Sequence, residues 1–532
     1  MLLADIVTLW AAFLLVWALV NRGIPIFQEL VRDMTDFFME KALGPGADLF
    51  EGRQGSGTVA WMMHGMLWTS IGASFTFVGM WMAHEPDAIA SLSSIGYAPS
   101  TATVQTAAYN AATGGILMLL IGAGLHINGR LSGSGLASDT NATLVSYAFS
   151  MSLLLGLLSD HMSGKWGDYL CTAAATIATL VMVAILANHL LTIGRRTNQT
   201  IMPSQWLIVG GLSMPLVMCV VDFVLGVNQA LNDSLVILPM LASALAVALY
   251  VTPYEAGTPL WSRSLAGVTI LMTFMTLSPI GIEGAGVSVN EAAMLTIFYA
   301  ASMIPILATA GNVFQTARSN WGQASSSSAT TSIMLGMFML VGSAIGQLFV
   351  GADAQSTGEI QHLSSSMNTL FLWGGMGMIA WGGVISCFPQ ATGRSLISNE
   401  TNRMTTWMVS GGAVLAFLFS MGASMVSSAY DAAAAANDSI DSDLIDMSAT
   451  GTLETLASIA FYAVTIAAIL MMLNMIRGSF SGTPIGSGEP ASPSANRIAL
   501  TPGSTTIRQL LAAGAGTDTE IDVICDTCDE EE

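Results

Sequence analysis

Long apolar segments recur along the whole chain, and they restrict what it can fold into. A run of roughly 20 apolar residues crosses the hydrocarbon core of a bilayer as an α-helix, in which every backbone N–H and C=O is paired. The sequence therefore predicts an all-α integral membrane protein with about thirteen transmembrane helices. The predicted spans are 2–21, 57–83, 106–127, 143–159, 168–194, 203–228, 232–252, 262–281, 289–316, 330–351, 363–388, 403–429 and 452–476.

The composition agrees with this class of protein. Hydrophobic residues make up 53% of the 532 positions and charged residues only 9%, whereas roughly a quarter of a soluble protein is charged. The net charge of −20 arises from 35 acids against 15 bases. No basic stripe is present, which excludes nucleic acid as an expected partner. Membrane lipid is the expected surrounding.

The placement of the basic residues predicts the topology. Fourteen of the fifteen lysines and arginines fall in or beside connections that lie on one side of the membrane if all thirteen spans are real. Only Lys165 falls on the other side. Cytoplasmic connections carry an excess of basic residues, so we expect the N-terminus outside and the C-terminus in the cytoplasm. No transit peptide is evident, which favours a cell membrane as the location of this multi-pass protein.

The chain divides into three predicted parts. Residues 1–56 hold the first span and an amphipathic segment, 24–45, expected at the inner interface. Residues 57–478 hold the other twelve spans, and 479–532 form a flexible, acidic cytoplasmic tail. Cys525 and Cys528 in this tail supply only two of the four ligands of a structural zinc site, so their role stays open. Cys171, Cys219 and Cys387 lie in or beside apolar segments and are expected to be buried thiols.

Three segments of the sequence resemble subunit I of the heme-copper terminal oxidases. They are Val236-Ile237-Leu238-Pro239 continuing through Thr252-Pro253-Tyr254-Glu255 to Pro279-Ile280-Gly281, then Phe388-Pro389-Gln390-Ala391-Thr392-Gly393-Arg394, and the connection from Gly194-Arg195-Arg196 to Met202-Pro203 and Trp206. The last twelve predicted spans, 57–476, also match the helix count and orientation of that family. The first span is an addition to it.

The resemblance can be checked at the six histidines that hold the family's hemes and copper. None of the matching positions holds a histidine here: they are Gly114, Ala230, Glu283, Gly284, Met367 and Thr369. Two histidines for a heme and three for copper cannot be made from these residues. The resemblance therefore implies the family's scaffold without its metal centres. No cofactor is expected, and heme or copper remains an alternative.

A few ionisable residues inside or beside the spans remain as candidates. Intramembrane ionisable groups are functional hypotheses by default. Asp222 lies near the outer third of its span and Glu283 lies just past the outer end of another, where each could relay protons or bind a cation. His64 and His189 lie in the inner halves of their spans and are the candidate ligands if a heme or copper is bound. A packing role is the favoured interpretation for both histidines.

Three functions follow from these observations. The first is a non-catalytic structural or regulatory component that associates with other subunits of a respiratory complex. The second is a transporter or channel that uses the vacated polar core past Asp222 and Glu283. The third is a divergent oxidoreductase that binds one heme or copper through Met367, His64 or Glu283. Enzymatic activity is left open.

Overall fold

The computed structural model of the chain describes residues 54–485, apart from 163, 199, 226–228, 277–288, 355–362 and 437–447. Twelve long helices run through this part of the chain. They are α1 (Ser56–His84), α2 (Thr101–Ser132), α3 (Asp139–His161), α4 (Lys165–Gly194), α5 (Pro203–Leu225), α6 (Gln229–Ala256), α7 (Arg263–Met275), α8 (Val289–Ser319), α9 (Ser328–Ala354), α10 (Ser364–Thr392), α11 (Asn399–Ala436) and α12 (Ser448–Ser481).

The helices confirm the predicted class of fold, an integral membrane helical bundle. Each of the twelve predicted spans from 57–83 to 452–476 overlaps one helix, but spans 203–228 and 262–281 run past the ends of α5 at Leu225 and α7 at Met275. Most of the other helices extend past the apolar run by several residues. Within the described residues, nine helices are long and apolar enough to cross a membrane. The predicted first span 2–21, segment 24–45 and the tail with Cys525 and Cys528 lie outside the described residues.

Three helices form the centre of the bundle. Of the residues in the most apolar window of each helix, 83% are buried in α2, 89% in α6 and 89% in α10. These three helices contact one another, and the remaining helices pack around them, with α12 against α1. The central helices are therefore every fourth helix of the chain.

The connections meet at two ends of the bundle. Hydrogen bonds at one end join the segments after α2 and α4, after α6 and α8, and after α10 and α12. The described basic residues at this end are Arg130, Arg195, Arg196, Arg263, Arg318, Arg394, Arg403 and Arg477. We call it the basic end. Lys165 begins α4 at the opposite end, so the predicted segregation of bases is present, and its orientation to the cytoplasm stays a prediction.

The Thr-Gly-Arg turn after α10 has a structural role at the basic end. Gly393 ends the helix with a φ of 69°, a left-handed conformation that favours glycine. The guanidinium of Arg394 then donates to the carbonyl oxygens of Phe480 and Gly482, at 3.3 and 3.1 Å. The turn therefore ties the end of α10 to the end of α12.

Glycines allow α1 and α2 to approach closely. A Cβ on Gly65 would lie 2.8 Å from the backbone nitrogen of Leu119, and a Cβ on Gly115 would overlap the backbone of Thr69. Helix association in lipid depends on such van der Waals packing, because lipid tails are as apolar as the side chains they would replace.

The cysteines separate positions inside the bundle from positions on its surface. Cys387 on the central helix α10 is buried as expected, but the prediction of a buried thiol was wrong for Cys171. Cys171 lies on α4, where only 17% of the most apolar window is buried. The apolar residues around Cys171 in the sequence therefore indicate a surface that contacts lipid, and not the interior of the protein. The side chain of Cys219 lies outside the described residues.

Candidate functional site

The centre of the bundle contains a small enclosed cavity between α1, α2, α10, α11 and α12. Its volume is about 10 Å³, enough for about one water molecule, whereas sites for cofactors and other small molecules occupy roughly 300–1,000 Å³. The cavity lies between α2 and α10, the helices that hold Gly114, Met367 and Thr369. It is lined by Thr69, Ile116, Leu119, Trp373, Gly377, Trp381, Val409, Val464 and Ala468. We call this region the central space.

Two buried indoles of α10, those of Trp373 and Trp381, line the central space. Trp373 is 3% exposed and Trp381 is 2% exposed. Trp373 meets Phe461 of α12 edge-on, with 5.2 Å between ring centroids and 79° between the ring planes. Edge-to-face pairs of this kind add to the stabilisation that comes from burial. The Trp373–Phe461 pair thus joins α10 to α12 in the core of the bundle.

The middle of α10 has an unusual backbone. The segment Leu370–Gly377 is a π-helix of 8 residues that contains Trp373. π-Helical turns are wider than α-helical ones, are rare, and often lie at functional positions. Here the segment directly follows Thr369, and it directs a large indole into the core. Trp373 was not among the candidate residues predicted from the sequence, although the run Trp373-Gly374-Gly375-Met376-Gly377 is a signal that could have identified it.

The described positions that match the family's histidines do not converge on the central space. A Cβ on Gly114 would overlap the side chain of Leu153, so Gly114 faces α3. Met367 packs on Gly346 of α9. The hydroxyl of Thr369 donates to the carbonyl oxygen of Ser365 on its own helix, at 3.2 Å. None of these groups offers a heme the imidazole that the family uses.

The other predicted site residues are described partly or not at all. Asp222 lies in α5 and Ala230 lies in α6, and only their backbone is described. Glu283 and Gly284 lie outside the described residues. The proposed roles of these four residues therefore stay predictions.

His64 lies away from the central space. Its ring packs edge-on against Tyr147 of α3, with 4.5 Å between centroids. Thr69, which lines the central space, follows five residues later and so lies roughly 140° around the helix from His64. His64 is thus on the side of α1 that faces α3, and it does not reach a group bound between α2 and α10.

His189 belongs to a separate buried network near the basic end. The Asn128 amide on α2 donates to Nδ1 of His189 at 3.0 Å and to its carbonyl oxygen at 3.1 Å. Gln205 on α5 in turn donates to Oδ1 of Asn128 at 2.8 Å. Because Nδ1 accepts, the neutral ring carries its proton on Nε2, which has no hydrogen-bond partner among the described residues. The network joins α2, α4 and α5, and it does not bring His189 and His64 together.

A carboxylate that the sequence analysis passed over joins three helical segments. The two oxygens of Glu255 on α6 accept from the hydroxyl of Ser386 on α10 at 2.6 Å and from that of Ser327, just before α9, at 2.8 Å. One signal was available, because Glu255 is an acidic residue at the end of an otherwise apolar helix. Across the described segments, no group of three His, Cys, Asp or Glu side chains is placed to hold a metal ion.

The chain was compared with known protein families, curated proteins and solved structures, and one of these comparisons identifies a similar fold. No family model and no curated protein matches the chain. The fold is similar to that of a heme-copper terminal oxidase dimer determined by cryo-electron microscopy, with a TM-score of 0.61 and 11% sequence identity. The similarity covers 83% of this chain and 90% of that chain. At this identity it establishes a distant oxidase-like fold and nothing about chemistry.

Proposed function

We propose that this chain is a bundle of the oxidase subunit I type that binds no heme or copper. In this proposal it serves as a structural or regulatory membrane component of a respiratory complex. The observation that carries the proposal is the filled central space. Among the described residues a cavity of about 10 Å³ remains there, and Trp373 and Trp381 line it.

The donor residues support the same conclusion independently. Heme-binding members of the family need histidines on the second and tenth helices of the bundle, and the matching positions are Gly114, Met367 and Thr369. Gly114 offers no donor and faces α3. The Met367 thioether is a soft ligand, but it packs on α9. Donor set and packing would both have to change before a heme fitted between α2 and α10.

The outer helices offer apolar surfaces through which the chain could associate with other subunits. The similar oxidase structure is a dimer. Large apolar side chains such as Ile459 and Phe349 lie 62 and 65% exposed on the outside of the bundle, where they meet lipid or another membrane subunit. We therefore expect the chain to act through these surfaces, in contact with catalytic subunits that carry the metals.

A visible spectrum of the purified protein tests the first half of the proposal. The chain is expressed in its native membrane and purified in mild detergent. Its Soret absorbance is then measured, and its iron and copper contents are determined by mass spectrometry. We expect no Soret band and far less than one metal per chain. An oxidase purified in parallel shows that the procedure retains heme. Stoichiometric heme in the chain would overturn the proposal.

Cross-linking tests the second half. Membranes are treated with a lysine- and carboxyl-reactive cross-linker, and the peptides joined to this chain are identified by mass spectrometry. We expect peptides from respiratory subunits to dominate, and a chain cross-linked only to itself would contradict the association. This result is independent of the spectrum, so each half of the proposal can fail alone.

The transporter alternative has less support. A path through the central space would need water along its length, and the cavity there holds about one molecule. Asp222 and Glu283 remain the residues on which such a function would depend. Flux through reconstituted vesicles that falls in Glu283→Gln would revive it.

A further inference from the structure

A groove opens on the outside of the bundle at the basic end. It lies between α8, α9 and α11 and has a volume of about 430 Å³. Its apolar wall includes Phe314, Leu335, Phe338 and Trp407. Phe338 is 71% exposed and Trp407 is 54% exposed. The groove therefore faces the hydrocarbon of the membrane along much of its length.

The end of the groove nearest the connections is polar and basic. Arg403 lies one helical turn before Trp407 on the same face of α11, and Ser328 begins α9 beside it. Among the described residues Arg403 makes no hydrogen bond or ion pair, and the groove lining contains no acidic side chain. The N-terminus of α9 adds a partial positive charge at the same place.

Tryptophans mark the depth of the groove in the membrane. Trp321, in the short helix Trp321–Ser326, lines the groove and is 56% exposed. Trp321 and Trp407 both line the groove that Arg403 lines. Tryptophan is enriched where hydrocarbon gives way to headgroups, so Arg403 lies at headgroup level and Phe338 at acyl-chain level.

We propose that this groove binds one anionic phospholipid. Its phosphate lies at Arg403 and Ser328, and one acyl chain lies along Leu335 and Phe338. Charge complementarity selects an anionic headgroup, because a guanidinium without a protein partner binds phosphate through paired, charge-assisted hydrogen bonds. The apolar wall selects a lipid rather than free phosphate. This inference does not depend on the proposed function.

Native mass spectrometry of the full chain tests the proposal. The protein is taken from vesicles of equal parts phosphatidylglycerol and phosphatidylcholine into detergent, and the lipids that remain bound are counted. We expect one phosphatidylglycerol retained per chain, with retention about tenfold lower in Arg403→Gln. Arg477→Gln is the matched control, because Arg477 is also exposed at the basic end, makes no hydrogen bond among the described residues and does not line the groove. Equal retention of the two lipids by the wild type, or unchanged retention in Arg403→Gln, would overturn the proposal.

A second variant separates the groove from the charge. Thr331→Phe adds bulk to the groove lining and keeps Arg403, and it should lower phosphatidylglycerol retention to the level of Arg403→Gln. Inorganic phosphate added to the wild type should not displace the lipid, and displacement would assign the site to free phosphate instead. Size-exclusion profiles check that both variants fold. If Thr331→Phe does not fold, the milder variant Trp407→Phe is used instead. Phosphatidylglycerol with brominated acyl chains should then quench the protein's tryptophan fluorescence less than it does in the wild type. Cross-links that place another protein segment in the groove would also refute lipid binding.

Discussion

Trp373 on α10 and Phe461 on α12 meet edge-on, with their ring centroids 5.2 Å apart, in the core of the bundle. Both residues are almost completely buried. Trp373 lies in the π-helical segment of α10, Leu370–Gly377. If this packing replaces a cofactor in holding the helices together, then the stability of the bundle should depend on it.

Truncation of Trp373 tests that dependence. Trp373→Ala removes a buried indole and leaves Phe461 without its partner, and large-to-small changes of this kind cost about 3–5 kcal/mol. We expect a clearly lower midpoint of thermal unfolding in detergent, followed by circular dichroism at a helix band. Trp166→Ala is the control, because Trp166 is 70% exposed. Equal midpoints for the two variants would contradict a stabilising role for the aromatic contact.

The close approach of α1 and α2 predicts strong sensitivity at Gly115. A leucine there would have to overlap the backbone of Thr69, so Gly115→Leu should separate the two helices and greatly reduce the yield of monodisperse protein. Gly411→Leu provides the comparison, since a Cβ at Gly411 meets nothing within 4 Å. Size-exclusion chromatography of both variants measures the difference. A monodisperse Gly115→Leu protein would show that this interface yields easily.

The His189 network should act as a structural unit. Asn128→Ala removes the donor to His189 and the acceptor for Gln205, and each buried polar group left without a partner costs about 1–3 kcal/mol. Thermal unfolding should shift accordingly. Asn110→Ala removes a hydrogen bond to Asp160 that is exposed, and we expect little change from it. The same small effect in both variants would show that the buried network contributes no stability.

Substitutions at Glu255 test whether its hydrogen bonds or its negative charge stabilise the bundle. A glutamine keeps one acceptor and gains a donor that a serine hydroxyl can accept, so Glu255→Gln should retain most of the stability. Glu255→Leu leaves Ser327 and Ser386 without their partner and should unfold at a clearly lower temperature. Glu400→Gln, at an exposed position in α11, controls for loss of a charge. A Gln variant as unstable as the Leu variant would show that the negative charge itself is required.

The features that sequence could predict are those that depend on one helix at a time. Each predicted span from 57–83 to 452–476 overlaps one helix, because backbone hydrogen bonds inside lipid must be satisfied within the segment. The predicted segregation of Lys165 from the arginines holds for the described arginines, because charges stay near helix ends. The assignment of Met367 and Thr369 to the family's ligand positions rests on the resemblance and stays a prediction.

The features that only the tertiary structure decided are those that depend on which side of a helix meets protein. The most apolar window of α4 has a mean hydropathy of 2.3 and is 17% buried, whereas that of α6 has 1.7 and is 89% buried. Hydropathy therefore could not identify the central helices, and it misplaced the thiol of Cys171. Nor could it show that Trp373 and Trp381 line the central space. Lipid tails and protein interiors are equally apolar. The sequence therefore determined that Cys171, Trp373 and Trp381 are removed from water. Only the packing of α2, α6 and α10 determined whether each side chain contacts lipid or protein.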